Sequence, residues 1–103
     1  MSAIFGEKLA LGQRNGPDVE LLVWGDEFYA RYESPDGYSA VYDEERGLFC
    51  YALLADGAFV SSGVPVSAPP APGAILHGKE SDAVRQSKSA AARARKFPPT
   101  RNQ

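Results

Sequence analysis

Residues 19–62 read VELLVWGDEFYARYESPDGYSAVYDEERGLFCYALLADGAFVSS, and this stretch decides the fold. β-branched and aromatic runs alternate in it with turn signals, which is the pattern of short antiparallel strands. Val19 to Trp24 reads as a first strand, interrupted by Gly25-Asp26. Phe28, Ala30 and Tyr32 then alternate with Tyr29, Arg31 and Glu33, the period of two expected of a half-buried strand. Ser34-Pro35-Asp36-Gly37 is the strongest turn signal in the chain, with proline at its first corner and glycine where positive φ is needed. Tyr38, Ala40 and Tyr42 alternate with Ser39, Val41 and Asp43 in a third strand, and Glu44 to Gly47 closes the next hairpin. Leu48 to Leu54 is apolar on both faces, which places it centrally in a sheet. Asp56-Gly57 is a favourable two-residue hairpin turn, and Ala58 to Ser62 makes a fifth strand.

Working outward, residues 1–18 form an arm with a short apolar patch, Ile4-Phe5 and Leu9-Ala10-Leu11, ending in a turn at Asn15-Gly16-Pro17-Asp18. Downstream, residues 64–73 hold four prolines, which rules out a continuing ladder or helix. Residues 64–79 therefore read as an extended, polyproline-type spacer. Residues 80–96 are rich in alanine and arginine, with Ser81 or Asp82 as the cap of a basic helix. Its apolar face is thin, Val84, Ala91, Ala94 and then Phe97, so the helix either docks on a surface or is only partly formed. The expected fold is thus mainly β, a small α+β domain. An antiparallel five-stranded meander (19–63) follows the arm and leads through the Pro-rich linker to a basic helical tail (80–103). Phe28, Tyr32, Tyr38, Tyr42, Phe49, Tyr51 and Phe59 are enough for one core layer. At ~25 cal/mol per Å² and ~150–250 Å² per buried ring, these side chains dominate its stability.

The 103 residues suit one domain. The net charge of −2 hides an asymmetry: residues 1–78 carry four Lys/Arg against eleven Asp/Glu, and residues 79–103 carry seven against two. An acidic body with a basic tail suggests two contact surfaces. The basic side chains are spread around the helix with no aromatic residue between them, so a protein is expected as partner rather than nucleic acid. Cys50 is the single cysteine, which excludes an internal disulfide, and it reads as a small buried hydrophobe. His77 is the single histidine, so no His-based zinc site can be assembled, and no phosphate-binding glycine loop is present. Asp43-Glu44-Glu45 lacks the ordered spacing of a calcium loop. No catalytic residue, metal ligand or cofactor site is legible, and the chain is not expected to be an enzyme. No run approaches the ~20 apolar residues of a membrane span. A complete chain of this kind is expected to be soluble and cytoplasmic; an excised propeptide would be secreted or periplasmic.

Val23-Trp24-Gly25-Asp26-Glu27-Phe28-Tyr29, then Tyr32-Glu33, Asp36-Gly37-Tyr38, Tyr51-Ala52 and Asp56-Gly57 make up a recognisable series. It resembles the N-terminal propeptide region of secreted zinc metalloproteases of the immune inhibitor A type. The Pro-rich segment and the basic helix opening near Glu80-Ser81 are similar to the connector toward the protease domain, so the likeness covers roughly residues 15–97. The zinc-binding helix of those proteases is not in this sequence, and protease activity is not carried over. The resemblance implies a non-catalytic module, a chaperone- or inhibitor-like partner of a hydrolase. The other function considered is a small structural or adaptor subunit whose termini wrap a neighbour. Under either, the candidate partner-binding residues are Trp24, Asp26, Phe28, Tyr29, Arg85, Arg93, Arg95 and Phe97, and the oligomeric state is open.

Overall fold

A computed structural model describes residues 4–26 and 28–96, excluding the side chains of Ile4, Arg95 and Lys96. The fold is mainly β, as expected: one antiparallel sheet in sequential order, followed by one helix. The strands are β1 (Ile4–Gln13), β2 (Gly16–Gly25), β3 (Ala30–Glu33), β4 (Ser39–Asp43), β5 (Leu48–Ala55) and β6 (Ala58–Pro65), and the helix is α1 (Asp82–Lys96).

The sheet has six strands where five were expected, because residues 4–13 pair with β2 along almost their whole length. Gly6 and Gly12 sit at the two register shifts of the ladder. Gly6 takes φ 71° beside the Trp24 ring, so the glycine is the bulge that lets the strand continue. The hairpin turn is correspondingly Arg14-Asn15, flanked by the Gln13–Gly16 pair, and Pro17 and Asp18 lie within β2.

β2 pairs with β3 only from Leu22 to Gly25. Its first half is free to bend, and the hairpin tip folds over onto the β4–β5 turn. There Asn15 N donates to the Gly47 carbonyl at 3.0 Å and Asn15 Nδ2 to that of Arg46 at 2.8 Å. Gln13 Oε1 accepts from Phe49 N at 2.6 Å. The curled sheet encloses a core of Leu21, Val23, Ala40, Phe49, Cys50, Tyr51 and Ala52. Tyr32 and Tyr42 meet Phe49 edge-on at 5.3 and 5.0 Å, and Tyr38 meets Tyr51 at 5.9 Å. These are rings of the expected aromatic layer; Phe28 and Phe59 join Tyr32 and Tyr42 in lining the cleft under the helix.

β5 is buried but not central; it lies next to the edge strand β6. Part of its cover comes from the Pro-rich segment, which is no free spacer. Tyr51 donates its hydroxyl to the Ala68 carbonyl at 2.6 Å, and Ala71 is buried. The chain then runs back past β4: Leu76 bridges Tyr38, Ser39 N donates to the Ile75 carbonyl at 2.8 Å, and Gly78 N donates to Ser39 Oγ at 2.8 Å. This strap delivers α1 to the sheet, where its Lys88, Ala91 and Ala92 face Tyr32 and Tyr42 of the aromatic layer across a cleft. Among the described residues no helix is long and apolar enough to cross a membrane.

Candidate functional site

The Gly25–Tyr29 loop organises the site. The backbone of Gly25 has φ 138°, and a Cβ there would lie 2.1 Å from the Tyr29 carbonyl oxygen, so only glycine fits. Asp26 N donates to that carbonyl at 2.9 Å, and Asp26 Oδ1 accepts from Phe28 N at 2.8 Å and Tyr29 N at 3.0 Å. This tight local bonding removes Phe28 and Tyr29 from the strand expected there, and β3 begins only at Ala30.

Tyr29 then reaches 51 residues along the chain. Its hydroxyl donates to Glu80 Oε1 at 2.7 Å. Glu80 is 4 % exposed, and its other oxygen accepts from Phe59 N at 2.7 Å and from the Lys88 ammonium. Burial alone would raise the Glu80 pKa. The Lys88, Phe59 and Tyr29 donors outweigh it and hold the carboxyl below its ordinary value. Burial pushes the Tyr29 phenol well above its usual value, and the Glu80 carboxylate adds to that. One buried carboxylate thereby joins the loop, the β6 backbone and the second turn of α1. Ser81 completes the junction: its N–H donates to the Gly57 carbonyl at 2.8 Å, and its Oγ caps α1 by accepting from Val84 N at 3.2 Å.

A second buried carboxylate, Glu33, is 1 % exposed at the end of β3. It pairs with Arg31 and, through Oε1, with His77 Nδ1 at 2.9 Å. The Arg31 guanidinium also lies 4.4 Å over the Trp24 ring, its cross-strand partner. Both buried acids therefore spend their oxygens on groups of this chain. Among the described residues no three His, Cys, Asp or Glu side chains gather into a metal-holding cluster.

Among the described residues Tyr29 lines several clefts, two of which join the loop to the rest of the site. The first, about 390 Å³, has aromatic walls of Phe5, Trp24 and Tyr29 and cations from Arg31, Lys79 and Arg85, with Asp26 on its rim. The second, about 310 Å³, lies between α1 and the sheet where β3 and β4 splay apart. Phe28, Tyr42 and Phe59 line it from below, and Lys88, Ala91 and Ala92 from α1. Arg93 stacks 4.8 Å over the Phe28 ring beside it.

Of the residues singled out from sequence, Trp24, Asp26, Tyr29 and Arg85 come together around the first cleft. Phe28 and Arg93 meet beside the second. The Arg95 side chain and Phe97 lie outside the described residues. Sequence reasoning missed Arg31, Glu33, His77, Lys79, Glu80 and Lys88. A signal for Glu80 existed, since an acid between a Pro-rich strap and a Ser-capped helix marks a junction; Glu33 stood in the Tyr32-Glu33 step of the series, but nothing local marked its carboxylate for burial. Comparison with family models, curated proteins and solved structures finds no match.

Proposed function

We propose that this chain is a non-catalytic protein-binding module, a propeptide-like partner that chaperones or guards a larger hydrolase. One observation carries the reading. The residues of the Trp24–Tyr29 series build the loop, the wall of a cation-flanked cleft and the tether of α1, while both buried carboxylates are consumed internally. Such a site has surface to offer a partner, and among the described residues its two buried carboxylates are already taken up by groups of this chain. The likeness of that same series to the propeptide region of immune inhibitor A-type zinc metalloproteases supports a zinc peptidase as the partner class. On this reading the module belongs with a secreted or periplasmic precursor.

The test is direct. The purified chain is mixed at equal molarity with an immune inhibitor A-type peptidase domain produced without its own N-terminal region. The expected result is a co-eluting complex, with lowered peptidase activity or a raised refolding yield. Separate elution with neither effect contradicts the proposal.

A further inference from the structure

Resting on the reading of the chain as a protein-binding module, we infer that the Trp24–Arg85 cleft receives an acidic segment of the partner, a carboxylate with an apolar side chain beside it. The carboxylate sits on Lys79 and Arg85, and its apolar neighbour lies against Phe5 and Trp24.

Charge and satisfaction argue for the anion. Lys79 makes no ion pair among the described residues, although it lines the cleft. Arg85 is only partly used. Its one ion pair among the described residues is with Asp82, whose carboxylate is 82 % exposed and whose pull is therefore well screened. The Nε of Arg85 is buried and has no hydrogen-bond partner. A buried guanidinium N–H left unpaired is costly, and a small side-chain rotation onto an incoming carboxylate relieves it. The cationic side of the cleft is thus under-satisfied as it stands.

The apolar side is equally open. Phe5 is 83 % exposed and stands directly across the ladder from Trp24. A large ring left in water beside a cleft marks a place where contact with another apolar group is favourable.

The same features disfavour nucleic acid. One face of Trp24 is covered by Arg31, which leaves Phe5 as the freely exposed ring on which a base could stack. A run of phosphates would also meet Asp26 on the rim and a body that carries a net −7 over residues 1–78. A carboxylate set between apolar residues brings one charge and its own hydrophobic surface.

Trp24 is the single tryptophan, so its emission and its indole N–H resonance report on this cleft alone. The probe is a capped tetrapeptide, Glu-Phe-Glu-Phe, titrated into the full chain. Its Gln-Phe-Gln-Phe analogue and a short oligothymidylate are the comparisons. The expected result is that the acidic peptide shifts the Trp24 and Arg85 Nε–H signals. The Gln analogue should bind about tenfold more weakly, the loss of a charge-assisted hydrogen bond. The Lys79→Glu, Arg85→Glu double variant should lose the acidic peptide by a similar factor or more. Equal binding of both peptides, no shift with the acidic one, or a larger response to oligothymidylate overturns the assignment. The peptide comparison stands even if the double variant does not fold. Capture of the peptidase without a response to the acidic peptide sinks the cleft and spares the proposed function. The reverse pattern sinks the function and supports the cleft.

Discussion

At the Phe49 end of the molecule, the hairpin tip folds over a layer of rings, where Tyr32 and Tyr42 both pack edge-on to Phe49. At the Glu80 end, the helix meets the sheet through Lys88, Arg93 and a capping serine, and leaves a cleft of about 310 Å³ beneath alanines. The first region is held by apolar area, which is spread over many contacts and tolerates little change in volume. The second is held by a few directed bonds converging on one carboxylate. The difference predicts separable stabilities: the sheet should survive losses that release the helix.

The largest effect should come from the core. Leu21→Ala empties a site that is 0 % exposed, and about 3 kcal/mol should be lost from the global unfolding transition in urea. If that variant merely loosened the helix, the two regions would not be distinct.

Next comes Glu80→Ala, which strips the Tyr29 hydroxyl and the Phe59 N–H of their acceptor. About 2 kcal/mol should be lost, and it should come from helix docking rather than from the sheet. Far-ultraviolet circular dichroism would show the helical signal falling with the near-ultraviolet tyrosine signal of the core kept.

Acid should reproduce this in milder form. Because the Glu80 pKa is lowered in the folded state, its contribution is complete above the unfolded value, ~4.3 for glutamate, and is lost as pH falls through the lower folded value. Asp43 in the sheet region is lowered too, by the Ser61 hydroxyl first and then the Arg46 N–H. Glu80→Gln separates the two: the helix signal should lose its acid dependence, while stability of the sheet still declines. The smallest effect is Arg93→Ala, which removes an exposed cation–π contact worth ~0.5 kcal/mol, at the margin of thermal-melt detection.

The sequence made the Phe49 end readable and the Glu80 end obscure, for one physical reason. Alternation and turn chemistry are local, so the Ser34–Gly37 turn and the Asp56-Gly57 hairpin were visible, and the latter indeed joins Ala55 to Ala58 in register. Where local signals conflicted, the pairing partner decided. Residues 4–13 read only as an arm with an apolar patch, and β2 supplied the ladder, with register shifts at Gly6 and Gly12, that makes them a strand. The Pro-rich segment read as a spacer because nothing local says that the Tyr51 hydroxyl awaits it. Of the site, Trp24, Asp26 and Tyr29 were found through the series that carries the resemblance, and Arg85 through the basic tail. The bond that unites them, Tyr29 to Glu80, spans 51 residues and leaves no periodic trace.

The most direct test of the account is amide hydrogen exchange on Glu80→Ala beside the unaltered chain. Amides of α1 (Asp82–Lys96) should lose their protection, while those of β2, β4 and β5 keep theirs. Unchanged protection of α1, or loss across helix and sheet together, would contradict the claim that one buried carboxylate fastens the helix to an independently stable sheet.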